Sequence, residues 1–103
     1  MEQKELLRKI KNALEKKMKV HKIYLFGSRA RGTFYPDSDY DLAVISEDFK
    51  THTFLERQKL VRPIMRTILG IVSLDVVCYT PEEYSRGKTA FLPSIIEKEG
   101  ISV

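Results

Sequence analysis

A chain of 103 residues with 43% hydrophobic and 31% charged residues, five Gly and four Pro, has the composition of one compact globular domain. That balance excludes a disordered tail, a collagen-like chain and a coiled coil. The longest stretches without a charge, Thr67–Leu74 and Thr89–Ile96, span eight residues each, whereas a membrane-crossing helix needs about 20.

One cysteine, Cys78, closes no intrachain disulfide and supplies no zinc cluster by itself. The opening residues, Met1-Glu2-Gln3-Lys4-Glu5, hold no apolar signal core, so a cytoplasmic single domain over residues 1–103 is expected. The net charge of +4 is unevenly placed: residues 1–22 hold eight Lys or Arg against three Glu and carry +5, and the rest carries −1. A basic leading segment is either a footprint for nucleic acid or an acidic partner, or the solvated face of a surface helix. The second is the default here, because Leu7, Ile10, Leu14 and Met18 already supply an inner face at helical spacing.

In chain order, that spacing predicts an amphipathic helix over residues 2–18. Ile23-Tyr24-Leu25-Phe26, ending in Gly27, reads as a short strand buried on both faces. Ser28–Gly32 has room for one helical turn, and Pro36-Asp37-Ser38 is a turn signal. Asp39–Ser46 reads as a strand with Tyr40, Leu42 and Val44 on one face and Asp39, Asp41, Ala43 and Ile45 on the other. Apolar residues from Phe54 and Leu55 to Ile68 and Leu69 give a helix over about Thr53–Leu69, stopped by Gly70. Pro63 is expected to kink that helix or split it.

Ser73–Tyr79 is a third strand, with Leu74, Val76 and Cys78 on one face and Asp75, Val77 and Tyr79 on the other. Thr80 caps a short helix begun by Pro81-Glu82-Glu83. A last helix is expected over Lys88–Lys98, with Pro93 near its start or at a break, and an edge strand over Ile101–Val103. Phe91 and Ile101 either form an interface or pack on the sheet. The order predicts an α/β (α+β) fold, a small mixed sheet of three to four strands backed by helices.

Chemistry concentrates in Gly27-Ser28-Arg29-Ala30-Arg31-Gly32, then Asp39-Tyr40-Asp41, then Asp75. Two residues apart on a strand, Asp39 and Asp41 share a face with Cα atoms about 6.6 Å apart. Paired carboxylates repel unless a cation offsets them, and hard divalent ions take one or two carboxylates plus substrate phosphates. Asp75 interrupts an apolar strand, where an unpaired carboxylate is costly. If its strand neighbours Asp39–Ser46, three carboxylates converge on one face and can serve two metals. Gly27 lets the backbone turn tightly, Ser28 offers hydroxyl and N–H groups to phosphate oxygens, and Arg29 and Arg31 add positive charge. Metal-binding acids beside phosphate-binding donors suit a nucleoside triphosphate.

Rival motifs fail on spacing. Neither Gly-x-Gly-x-x-Gly nor Gly-Lys-Ser/Thr occurs. Asp37, Asp39 and Asp41 imitate the start of a calcium loop, but its sixth position is Leu42 rather than Gly. Cys78, His21 and His52 lack zinc or catalytic spacing and read as a core cysteine and surface histidines.

Gly27-Ser28, ten residues (Arg29–Ser38) and Asp39-Tyr40-Asp41, with Asp75 as a third acid, resemble the hallmark of the DNA polymerase beta-like nucleotidyltransferase superfamily. The length and the ending Phe91–Val103 look like its minimal nucleotidyltransferases, which pair with HEPN-domain proteins, commonly as antitoxins. The resemblance implies Mg²⁺-dependent transfer of AMP from ATP to a tyrosine of a HEPN-type RNase toxin. It implies that Asp39 and Asp41 hold two Mg²⁺ ions, and that Asp75 ligates the catalytic ion and helps deprotonate the acceptor. It places Gly27 and Ser28 on the β- and γ-phosphates and Arg29 or Arg31 on the triphosphate charge. The alternatives are a toxin-binding antitoxin without catalysis, and nucleotidyl transfer to RNA or a small molecule such as an aminoglycoside.

Overall fold

The computed structural model describes residues 2–87 and 91–103. Helix α1 (Gln3–Glu15) forms where the 3-4-4 apolar spacing places Leu7, Ile10 and Leu14 on one buried face. It ends before Met18, which is buried from a turn instead of a helix. Strands β1 (Lys22–Phe26) and β2 (Tyr40–Ile45) pair antiparallel, and their connection, residues 27–39, contains the one-turn helix α2 (Ser28–Arg31). A 3-10 turn (Glu47–Thr51), which no apolar period announces, leads into α3 (Phe54–Leu69). Thr53 and Glu56 close the start of α3 as a reciprocal capping box.

Helix α3 runs through Pro63 as a single element, so the expected split does not occur. Pro63 and Lys59, whose carbonyl loses its hydrogen bond to the missing N–H, both lie on the exposed side, where water can satisfy that oxygen. Phe54 and Leu55, placed by the sequence pattern on the apolar face, are instead exposed at the first turn of α3.

Strand β3 (Leu74–Tyr79) lies parallel to β2, as the long crossover through α3 permits. Helix α4 (Pro81–Arg86) carries a second capping box, Thr80 with Glu83. Helix α5 (Phe91–Glu99) has Pro93 in its first turn, where a missing N–H costs least. Strand β4 (Ile101–Ser102) pairs with β1, giving the mixed order β3-β2-β1-β4. Ile101 packs toward the core. Residues 88–90 and the side chains of Phe91 and Leu92 lie outside the described residues.

Alternation divides the sheet into two apolar faces. Ile23, Leu25, Leu42, Val44, Val76 and Cys78 pack under α1 and α3, while Tyr24, Phe26, Ala43 and Ile45 meet Tyr84 of α4 and Ile96 of α5. The free edge of β3 is closed by side chains from α3: Arg62, Gln58 and Arg57 donate to the carbonyls of Leu74, Val76 and Cys78. Such cover hides an edge that would otherwise template pairing with another chain.

Arg57 also donates to the carbonyls of Phe49 and His52 and forms a two-pronged ion pair with Glu83, at 2.7 and 3.2 Å. Its side chain is 12% exposed against 37% for Glu83. Arg57→Met is therefore expected to cost about 2–4 kcal/mol, because several carbonyls lose their donor at once. Glu83→Gln should cost nearer 1 kcal/mol, since solvent screens its carboxylate. Urea unfolding of both variants measures this; equal losses would contradict the asymmetry.

The Arg57 hydrogen bond is the first cause holding the Glu83 carboxyl below its ordinary value. That stabilisation is present above the unfolded carboxylate pKa of about 4.3 and is lost as pH falls through the lowered folded value.

Candidate active site

Opposed strand directions bring the site together at one corner of the sheet. β1 ends where β2 and β3 begin, so Phe26 stands opposite Asp41 and Asp41 opposite Asp75. Neighbouring strands are about 4.8 Å apart, which puts Asp41 and Asp75 side by side on one face. Asp39 stands one residue before β2, exposed, on the same side as Asp41 by alternation.

Gly27 makes the turn out of β1 with φ 74° and ψ −157°, a conformation essentially reserved for glycine. A Cβ there would stand 2.3 Å from Asp41 Oδ2, so the missing side chain is also the space the carboxylate occupies. Ser28 opens α2, whose first amides have no intrahelical acceptor. Gly32, at φ 79° and ψ 10°, ends α2 in the left-handed region.

The Asp41 carboxyl is pushed above its ordinary value of 3.8, first by burial and then by the negative charges of Asp75 and Asp39, with Arg31 opposing. Two neighbouring acids therefore act on one carboxylate, and this corner stores repulsion that a cation would relieve. The donors are all hard carboxylate oxygens, which fits Mg²⁺ better than a soft metal. Among the described residues, no three His, Cys, Asp or Glu side chains already stand as a preformed ligand cage. The acids share a face and a field, and an incoming ion with its phosphate ligands would draw them together.

The two arginines differ sharply. Arg31 is half-exposed and pairs with Glu99 of α5 at 3.0 Å. Arg29 is 9% exposed and turned inward. Its Nε donates to the carbonyl of Ser38 and its Nη2 to that of Pro36. By spacing alone either arginine could meet the triphosphate, because no local pattern links Arg29 to a loop that folds back on it.

A hollow of about 550 Å³ lies further along β3, lined by His52, Phe54, Arg57, Val77, Tyr79 and Glu83. The acidic row itself is open. We place the site at the acids because charge crowding, not concavity, is the feature needing a ligand. Cys78 is buried and its thiol is pushed up to about 12 by desolvation, which leaves it unreactive. His21 is exposed, and His52 donates from Nδ1 to the carbonyl of Asp48. Leu42-Ala43-Val44 continue β2, so no calcium loop forms.

A family described as polymerase beta, nucleotidyltransferase, matches residues 8–96. Over 68 residues the chain is 41% identical to a Methanocaldococcus jannaschii protein provisionally named a protein adenylyltransferase, covering 66% of this chain and 67% of that one. A crystal structure of a toxin–antitoxin with AMP-PNP matches at TM-score 0.68 and 26% identity, over 92% of this chain and 69% of that chain. A Sulfolobus solfataricus protein provisionally named a nucleotidyltransferase matches at TM-score 0.66 and 21% identity, over 95% and 76% of the two chains. That last likeness is one of fold.

Proposed function

The chain belongs to the polymerase beta nucleotidyltransferase family, and from that premise we propose that it transfers AMP from ATP to a tyrosine hydroxyl of a HEPN-type RNase toxin, as that toxin's antitoxin. The observation that carries the chemistry is the row of Gly27, Asp41 and Asp75, with Asp39 adding its charge at Asp41. The acceptor class is supported by the name of the 41% identical relative and by the toxin–antitoxin likeness.

In this reading Asp39, Asp41 and Asp75 hold two Mg²⁺ ions. Bound there, Mg²⁺ supplies charge neutralisation and alignment for the triphosphate. Gly27 and Ser28 receive the β- and γ-phosphates. Arg31, already half-exposed and acting on Asp41, exchanges Glu99 for triphosphate oxygens. Asp75 takes the proton of the attacking hydroxyl. The tyrosine oxygen bonds to the α-phosphorus as the bond to the bridging oxygen breaks, and pyrophosphate leaves in line. Catalysis is positioning and charge stabilisation. The compartment is the cytoplasm, where ATP and Mg²⁺ are at hand; no described helix is long and apolar enough to cross a membrane.

The test is to incubate the protein with Mg²⁺, α-labelled ATP and the product of a neighbouring toxin gene, then read intact masses. The expected result is growth of the toxin in AMP-sized steps, absent with Asp75→Asn. A stable complex with no added mass would replace catalysis by antagonism through binding alone. Label appearing on RNA instead would move the acceptor to nucleic acid, with the basic face of α1 as its natural contact.

A further inference from the structure

We propose that Arg29 is a positioning residue that sets Asp39 in place, and that it does not bind phosphate. This rests on the nucleotidyl-transfer reading, and it changes what the second half of the Gly-Ser turn is for.

Asp39 is an exposed residue at the mouth of β2, outside the ladder that fixes Asp41 and Asp75. Without a brace it would sample many positions, and a metal ligand that must first be ordered binds weakly. Both of its chain neighbours are held by one guanidinium. On the N-terminal side, Arg29 Nε donates to the carbonyl of Ser38 at 3.0 Å, and Nη2 to that of Pro36 at 3.1 Å. On the C-terminal side, the guanidinium carbon stands 3.9 Å from the centre of the Tyr40 ring, and it also stands 4.8 Å from that of Phe34.

The loop is further tied to itself and to β3. Ser38 Oγ accepts from the Tyr35 amide, the Ser38 amide donates to the Tyr35 carbonyl, and the Tyr40 amide donates to the carbonyl of Ser73. Arg29 is anchored in turn, since its carbonyl accepts from the side-chain amide of Gln3 at the start of α1.

A planar fork that reaches two carbonyls while stacking between aromatic rings is a guanidinium property. A lysine could reach one carbonyl as a point charge. At 9% exposure with Nε and Nη2 committed, Arg29 is poorly placed to meet a triphosphate, whereas Arg31 is open to it.

The test compares Arg29→Met, Arg29→Lys and Arg31→Gln in the full chain with three readouts. Amide hydrogen exchange over residues 33–40 should quicken about tenfold in Arg29→Met and stay unchanged in Arg31→Gln. Binding of Mn²⁺ alone, followed by its paramagnetic resonance, should weaken about tenfold in Arg29→Met. In turnover, Arg29→Met should lower kcat by about 100-fold with little change in KM for ATP, as a misplaced ligand does. Arg31→Gln should mainly raise KM. Arg29→Lys should fall between, and it carries the same readouts if Arg29→Met does not fold.

A raised KM with unchanged kcat, loop exchange and Mn²⁺ affinity would make Arg29 a phosphate ligand and overturn the proposal. If the wild-type chain transfers no AMP, the transfer reading fails, while loop exchange and Mn²⁺ affinity still decide the role of Arg29.

Discussion

Replacing Asp41 by Asn is expected to stabilise the metal-free protein while lowering AMP transfer by at least about 1000-fold. Both effects come from one geometry. Asp41 faces Asp75 across β2 and β3, and the charges of Asp75 and Asp39 add to burial in pushing its carboxyl upward. Unit charges ~4 Å apart repel by about 1 kcal/mol even in bulk water. In a domain of this size that shifts the melting temperature by roughly 4–8 °C. The amide keeps the shape and removes the repulsion, but it also removes a ligand oxygen from the ions that would align the triphosphate.

The sign follows from linkage. A carboxyl whose folded pKa lies above its ordinary 3.8 contributes most to stability when protonated, and that contribution is lost as pH rises through the raised value. The gap in melting temperature between Asp41→Asn and wild type should therefore be near zero at about pH 3 and largest near neutrality. Mg²⁺ should reverse it by stabilising the wild type alone, by about 2.7 kcal/mol at a hundredfold excess over its dissociation constant, which outweighs the repulsion. Thermal melts with EDTA and with Mg²⁺ across that range measure all three effects. A variant less stable than wild type at neutral pH without metal would show that Asp41 is held by attraction and not crowded by repulsion.

The second large effect is expected from Gly27→Ala. Its backbone angles, φ 74° and ψ −157°, cost a residue with a Cβ about 1–3 kcal/mol. The new methyl would also stand 2.3 Å from Asp41 Oδ2, so either the carboxylate or the turn must give way. Activity should suffer more than stability, because a shift of about 1 Å in a reacting constellation costs about 100-fold in rate. Gly32→Ala is the matched comparison. It sits at φ 79° with nothing within 4 Å of its Cβ position, so it carries backbone strain and no collision. It should lose about 1–2 kcal/mol of stability and keep most of its turnover at a temperature where it is folded. Denaturant melts alongside turnover separate the two glycines; comparable turnover in both variants would rule out the close packing of Gly27 on Asp41 as functionally important.

Much of this protein is legible in one dimension because its signals are local. Leu7, Ile10 and Leu14 declare a helical face through spacing alone, and each is fully buried. Asp41 and Asp75 fall on the opposite side of their strands from Leu42 and Val76 because strand side chains alternate, whatever the strands pair with. Thr80 with Pro81 and Glu83 announces a helix start from adjacent residues.

Pairing and burial are different in kind, since they depend on residues far apart in the chain. Nothing in the order of amino acids states that Phe26, Asp41 and Asp75 form one row; the strand directions and register decide it. Two arginines two residues apart look alike on paper, yet the fold turns Arg29 inward onto the loop before Asp39 and leaves Arg31 open beside Glu99. Pro63 reads as a break, but a proline on the solvent side strands only a carbonyl that water can reach. The chemistry was thus written in residue types and spacing. The choice of which charged groups meet was left to three dimensions, where desolvation and distance set the energy of a charge.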